Sequence, residues 1–377
     1  MENEGTIKTI LVIGGYGHAG TKIVKGLLEK TAFNVLAVGK RPEKLESLVR
    51  ENNSNRLSVE ILDAGNTDKL TLYCQKADMV INASGPFSLG GDEIVKTVVQ
   101  CKKPYIDIAN EQLHLMNLRQ LKPEIEESGS MVFTCTGQSP GVSTLVIIHL
   151  AEMLREVNSI KIYGVAGRMP SPDQALASIM SGIIESSLCS TTYIDGKQVY
   201  EPLGKFIKKQ TFPEPIGEKK LMSVPLNDSI LIPEKIKCNS VRTLFAIDKE
   251  FSPILFSIMR WLKPHKRKWA YKMLEKIVKK NLKCSYEEGL TKGFFPGGYI
   301  KVIMTGSKDI EALIAVEDNS VMVSYMPIVI AINYFDNPEN FKGLLTPADK
   351  YTFDTFNNEL DKLGWKIHLE VNRNSKQ

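Results

Sequence analysis

TILVIGGYGHAG, residues Thr9 to Gly20, is the stretch that decides how this chain folds. Ile10 to Ile13 is an apolar run of strand length, Gly14, Gly15, Gly17 and Gly20 punctuate a tight turn, and Ile23, Val24, Leu27 and Leu28 follow at helical spacing. In the order strand, turn, helix, each glycine of G-x-G-x-x-G (Gly15, Gly17, Gly20) has a physical task. The first allows a sharp turn, the second a close approach of backbone to a pyrophosphate, and the third close packing of helix on strand. A helix opening near His18 would also aim free N–H groups and its positive dipole end at the phosphates. Gly15, Tyr16, Gly17, His18, Ala19 and Gly20 are thus the expected cradle of a dinucleotide.

Further along, Asn34 to Val38 forms a second apolar strand ending in Gly39, Lys40 and Arg41. An NAD site places a carboxylate roughly 20 residues past the glycines, whereas a 2′-phosphate calls for room and positive charge. Gly39 gives the room and Lys40 and Arg41 the charge, so NADP (NADPH) is expected over NAD; the same residues also suit a solvated basic turn. Leu57 to Leu62 leads to Asp63 and Ala64, where Asp63 either borders the adenine or caps a helix near Asn66. Met79 to Asn82 leads to Ala83, Ser84, Gly85, Pro86 and Phe87, a turn expected beneath the nicotinamide half. Tyr105 to Ile108 carries Asp107, with Glu111 four residues on, and Asp107 is either a proton-handling group or a helix cap. Met131 to Cys135 leads to Gln138, Ser139, Pro140 and Gly141, read as a helix start with Ser139 as N-cap and Pro140 at its first position. Strands alternating with helices require parallel pairing, hence a doubly wound α/β sheet.

From Ser159 onward the texture changes. Strand-like runs at Lys161 to Val165, Ser190 to Ile194, Val241 to Ile247, Gly298 to Thr305, Glu311 to Val316 and Val321 to Ser324 are separated by irregular connections such as Phe206 to Val224. They predict a second, α+β domain with a mixed sheet. Ile179, Met180, Ile183, Ile184 and Leu188 form an apolar helical stripe, suited to core or pocket. Trp261 to Lys283 interleaves aromatics with lysines, a pattern that fits either a solvated helix face or peripheral contact with an anionic membrane surface. Asp349 to Leu363 reads as a helix and Trp365 to Glu370 as a final strand.

At 377 residues, 43% hydrophobic and 24% charged, the chain can fill two cores. A net charge of +5 with one basic cluster gives no reason to expect nucleic acid. The six cysteines show no C-x-x-C spacing and there is no histidine cluster, so no metal is expected. The start, MENEGTIK, has no secretory pattern, and no 18-residue uncharged apolar run occurs, which makes a cytoplasmic location the expectation, peripheral at a membrane if the basic segment binds one. The expected partners are a small-molecule substrate and a second copy of the chain in a homodimer.

GGYGHAG (14–20), VGKRPEKL (38–45), NASGPF (82–87), YIDIANE (105–111) and TCTGQSPGVSTL (134–145) together resemble the saccharopine dehydrogenase and reductase family. Weaker similarity continues through IDGKQVY (194–200), FPEPIG (212–217) and GLLTPADKYTFDTFNNELDKLGWKI (343–367). The resemblance implies an NADP-binding Rossmann domain over 1–140, a substrate domain over 141–340 and a segment, 341–377, that packs back on the first domain. It implies that Gly15, Gly17, Gly20, Arg41, Ser84, Gly85 and Pro86 line the cofactor and that Asp107, Glu111 and Gln138 face the substrate. Arg168, Arg242, Arg260 and Arg267 are dispersed rather than gathered into the carboxylate-binding set that saccharopine would need. The function expected is therefore hydride transfer to or from a C=N, C=O or activated C=C bond. A lipid-associated reductase and a non-catalytic NADP-binding protein are the alternatives.

Overall fold

Two sheets organise the computed structural model, which describes residues 7–167, 176, 180, 191–201, 205–247, 261–264 and 266–374. In the first, β1 (Thr9–Ile13), β2 (Asn34–Gly39), β3 (Leu57–Ile61), β4 (Met79–Asn82), β5 (Tyr105–Asp107) and β6 (Met131–Phe133) pair in parallel in the order β3-β2-β1-β4-β5-β6. Apart from the edge strand β3, which is largely exposed, their side chains are buried on both faces by crossover helices, the reason these strands read as apolar runs. The order reverses direction between β1 and β4, which makes that edge a topological switch point.

The second sheet is mixed. It comprises β7 (Val157–Ala166), β8 (Thr191–Ile194), β9 (Lys197–Tyr200), β10 (Ile207–Thr211), β11 (Glu218–Ser223), β12 (Ser240–Ile247), β13 (Gly298–Gly306), β14 (Asp309–Val316) and, later in the chain, β16 (His368–Asn374). The main path runs β10-β11-β12-β7-β13-β14-β16, with β8 joined to β12 and β9 to β8. Only β7 and β12 pair in parallel among the described strands of this sheet. The alternating burial of β13 and β14 turns Ile300, Val302, Met304, Ile310, Ala312 and Ile314 onto one face.

That face does not close a separate core. The same continuous cluster takes in Ile10, Val12, Ile23, Val24 and Leu27 of the first domain, and the buried helix Ser143–Glu152. Between them lies the helix Asn319–Asp336, packed along the helix His18–Lys30. Gly26 makes that approach close, since a Cβ there would stand 2.5 Å from Ile328 Cδ1.

Several expectations change. Val321 to Ser324 is not a strand but part of the helix Asn319–Asp336. Its β-branched run resembles a strand because a helix buried on most sides shows no polar stripe. Phe206 to Val224 is not irregular either: β10 and β11 form an antiparallel hairpin across the Phe212–Gly217 turn. The tail 341–377 is divided rather than returned whole. A seventh strand of the first sheet, β15 (Gly343–Leu345), pairs in parallel with β6, while β16 extends the second sheet beyond β14. Of the stripe from Ile179 to Leu188 only Met180 is described, and it is buried; Arg168 and Arg260 also lie outside the described residues.

Because both sheets share one core, we expect a single cooperative unfolding transition rather than two. Ile328→Ala should lower stability by about 2–5 kcal/mol and shift the whole transition. Calorimetry showing two separate transitions, only one of them moved by this substitution, would contradict the shared core.

Candidate functional site

At the switch point the carboxyl ends of three strands stand level, with Ile13 opposite both Val38 and Asn82. Backbone hydrogen bonds hold the glycines of the turn after β1. Gly14 and Gly15 both donate to the Val38 carbonyl, at 2.9 and 3.2 Å, and Gly17 donates to the Gly14 carbonyl at 2.8 Å. A Cβ on Gly20 would fall 2.1 Å from that same Gly14 oxygen, so only glycine lets the helix His18–Lys30 start so near the turn. Gly14 itself needs its left-handed φ of 75°. His18 and Ala19 are half-buried in the first turn of that helix. Burial pushes the His18 pKa down, and its buried Nε2 has no hydrogen-bond partner among the described residues. A cradle stripped of Cβ atoms, with an unpartnered ring nitrogen at a helix start, fits a dinucleotide.

At the end of β2 Tyr16 lies against Gly39, where a Cβ would sit 2.1 Å from its ring. Its hydroxyl accepts from Lys40 N at 3.1 Å. Lys40 Nζ reaches Asp63 Oδ1 at 2.9 Å, and that bond holds the Asp63 carboxyl below its usual value. Asp63 also accepts from Gly65 N at 3.0 Å, leaving Asn66 to cap the next helix by accepting from Lys69 N. Asp63 therefore borders an open pocket of about 250 Å³ with Lys40, Ile61, Asn66 and Lys69, beside the half-buried Ala64. Of the expected cationic pair, Arg41 is the one with no side-chain partner among the described residues.

The turn after β4 abuts the glycine turn: a Cβ on Gly14 would stand 2.9 Å from Ser84 Cβ, and Ala83 N donates to the Ile13 carbonyl. Ser84 donates through both N and Oγ to Asn82 Oδ1, whose amide in turn donates to the Tyr105 hydroxyl at 3.0 Å. Gly85 is exposed and Pro86 half-buried. Phe87 N donates to Glu111 Oε1 at 2.9 Å, so Glu111, nearly enclosed, fastens this turn to the segment after β5.

Asp107 does not face a crevice. It is 0% exposed, and its Oδ1 accepts from Thr134 Oγ1 at 2.7 Å, Ala109 N at 3.0 Å and Cys135 N at 3.3 Å. Oδ2 lies 2.9 Å from His114 Nε2. Burial works to lower the His114 pKa, but the Asp107 charge and hydrogen bond more than offset it, and the net shift is upward. The carboxylate thus organises β5, the end of β6 and the helix Gln112–Gln120; it holds Cys135 at a left-handed φ of 62° that a non-glycine residue otherwise avoids.

Gln138 to Gly141 also departs from expectation. Ser139, Pro140 and Gly141 are non-helical, and the regular helix begins at Ser143. The N–H groups of Gly141, Val142 and Ser143 are already engaged, by Thr144 Oγ1, the Gly137 carbonyl and the Gln138 carbonyl. Ser139 is no N-cap: its hydroxyl donates to Asp228 Oδ2 at 3.0 Å, and Ser143 Oγ donates to Asp228 Oδ1 at 3.4 Å. The Gln138 side chain is half-buried and has no partner among the described residues.

Asn227 and Asp228, at the start of the helix Asp228–Lys235, are components that sequence reading missed. Asn227 Nδ2 donates to the Glu111 carbonyl at 3.2 Å. Gln112 likewise reaches across, holding Thr191 and Leu226. No local pattern could have revealed them, because their partners lie far away in the chain. His114 carried a faint signal, a histidine seven residues after Asp107 on a helix with an apolar face.

Burial pushes the Asp228 carboxyl up to about 6, against the lowering pull of its hydroxyl donors. Its folded value lies above the ordinary 3.8, so the stabilisation is full below pH 4, declines as the unfolded chain loses its proton, and is gone above the folded value. The penalty at neutral pH is on the order of 2–3 kcal/mol. Asp228→Asn should therefore be more stable than the parent at pH 7.5 and lose that advantage towards pH 4. Urea midpoints differing by the same amount at both ends of the range would overturn this.

Among the described residues no group of three His, Cys, Asp or Glu side chains could hold a metal ion, and no helix is long and apolar enough to cross a membrane. Residues 10–133 match the saccharopine dehydrogenase NADP-binding domain. A lipid droplet localized protein of Caenorhabditis elegans is 25% identical over 138 residues, 34% of this chain and 32% of that protein. A probable mitochondrial saccharopine dehydrogenase-like oxidoreductase of Arabidopsis thaliana is 25% identical over 141 residues, 34% and 31% of the two chains. The chain matches about a third of the length of these curated relatives. In fold it is similar to saccharopine dehydrogenase (L-Glu forming) of Saccharomyces cerevisiae, with a TM-score of 0.66 at 16% identity over 98% of this chain and 100% of that one. Residues 10–133 thus carry a saccharopine dehydrogenase NADP-binding domain, and the chain's α/β fold is similar to that of saccharopine dehydrogenase.

Proposed function

We propose that the chain is an NADPH-dependent oxidoreductase that moves hydride to or from a C=N, C=O or activated C=C bond of a small molecule. One observation carries the reading: a hydrogen-bonded series links the three segments that follow β4, β5 and β6 at the switch point. Phe87 is joined to Glu111, Glu111 to Asn227, and Asn227's neighbour Asp228 to Ser139. A binding protein needs the glycine cradle alone, whereas fixing all three segments against one another suits a reaction that demands alignment to a few tenths of an ångström.

When bound, the dinucleotide supplies the hydride. The chain's own residues divide the remaining work. Gly15, Gly17 and Gly20 let the backbone approach the pyrophosphate, Arg41 offers a fork of donors to a 2′-phosphate, and Lys40 is shared with Asp63. Ser84, Gly85 and Pro86 bound the nicotinamide side. Asp107 acts as a positioning residue, while Gln138 is the group placed to hold or polarise the acceptor atom, its amide N–H needing no other bond to be broken first.

Two measurements test this. Arg41→Ala should weaken NADPH binding about tenfold, equivalent to about 1.4 kcal/mol, with NADH affinity unchanged; Asp63→Asn, by releasing Lys40, should increase the preference for NADPH. Equal affinity of the parent for both dinucleotides by calorimetric titration would remove the basis for the NADP reading.

With a substrate found from a carbonyl and imine panel, Gln138→Ala should reduce kcat about a hundredfold while NADPH affinity stays within about twofold. Tight NADPH binding with no oxidation across the panel would favour a non-catalytic NADP-binding protein.

A further inference from the structure

The helix Lys268–Lys292 turns Ala270, Leu274, Val278 and Leu282 inward, at successive i,i+4 positions, against Leu262 and Met180. This buried ridge fixes which side of the helix faces out. Trp269, 57% exposed, and Met273, 36% exposed, stand one turn apart on the outer side, together with Lys272, Lys276 and Lys280. Trp261, just before the helix, is 76% exposed, more than any other large hydrophobic residue described. Between the two tryptophans lie Lys263, Lys266, Arg267 and Lys268, all exposed.

Residues 261–283 contain nine lysines and arginines and one acid, Glu275. Lys279 pairs with Glu275 and Lys283 with Glu287. Lys263, Lys266, Arg267, Lys268, Lys272, Lys276 and Lys280 have no side-chain partner among the described residues. A solvated helix face accounts for the lysines and leaves the indoles unexplained, because tryptophan held in water forfeits the gain of burying its large apolar surface. Duplex nucleic acid offers phosphates and no apolar layer. A phospholipid surface offers both at once: anionic headgroups for the cations, and an interfacial zone in which tryptophan places its ring among acyl chains and its N–H in the wet headgroup region.

We propose that Trp261, Lys263, Lys266, Arg267 and the outer side of the helix Lys268–Lys292 form a docking face for an anionic phospholipid surface. The attachment is peripheral, and it is independent of the reaction catalysed, since none of these residues belongs to the dinucleotide site.

The test uses the full chain and phosphatidylcholine vesicles with or without phosphatidylserine. The protein should sediment with the serine-containing vesicles only, its tryptophan emission should shift to the blue, and binding should weaken as salt rises, because surface attraction is screened over about 8 Å at physiological ionic strength. Trp365, stacked on Tyr325 with ring centroids 4.7 Å apart, should contribute little to that shift. The double variant Trp261→Ala, Trp269→Ala should bind at least tenfold more weakly, and Lys266→Glu, Arg267→Glu, Lys268→Glu should release the protein, each with the parent's circular dichroism and NADPH affinity. Failure to sediment with anionic vesicles overturns the proposal, as does binding that survives both sets of substitutions. Duplex DNA binding tighter than vesicle binding and indifferent to the tryptophans would assign the face to nucleic acid instead.

Discussion

The carboxylate of Asp107 is the interaction on which the candidate site rests. It lies at the end of β5, sealed from water, and takes up donors from the chain on either side: Ala109 just after it, Thr134 and Cys135 beyond β6, and His114 on the following helix. A buried charge is tolerated only when its lone pairs are met, and here they are met by groups that belong to separate segments. The carboxylate therefore acts as a tie between segments and not as a reagent. Beside it, Cys135, at a left-handed φ, donates its N–H to the carboxylate, and Thr136 bonds the Asp107 main-chain carbonyl through both N and Oγ1.

A second tie joins the two sheets. The helix Asn319–Asp336 is apolar nearly all round because it lies between the helix His18–Lys30 and the second sheet. Gly26 allows the helices to approach closely, and Trp365, stacked on Tyr325, closes the side. Domains that share a core in this way cannot swing freely about a linker; relative motion would expose apolar surface along the whole contact.

Electrostatics at the end of β2 is more finely balanced than the sequence suggests. Lys40 is drawn towards Asp63, both largely exposed, and a pair of that kind contributes little to stability. Its effect is positional, since it holds Lys40 over Asp63 at the end of β2 and leaves Arg41 with no side-chain partner among the described residues. Tyr16 packed on Gly39 explains why the strand ends in glycine: no side chain fits under the ring.

TILVIGGYGHAG by itself determined the first sheet. Gly17 and Gly20 are demanded by close approach to Gly14 within the stretch itself, while Gly15 makes room for Ala37 of β2, and local contact is what a short stretch of sequence records best. The apolar runs of β1 to β6, the basic strand end at Lys40 and Arg41 and the serine turn at Ser84 were legible for the same reason. Tertiary structure alone decided the rest. Asp107 at a strand end looks the same in sequence whether it faces a substrate or its own fold, and only the arrival of Thr134 and His114 settles which. Gln138 to Gly141 reads as a capped helix until Asp228, distant in the chain, claims the Ser139 hydroxyl. Val321 to Ser324 carries strand-like residues, yet burial between a helix and a sheet makes them helix. In each case the deciding partner is remote in sequence, and the free energy of burying or satisfying a group depends on that partner, not on its neighbours along the chain.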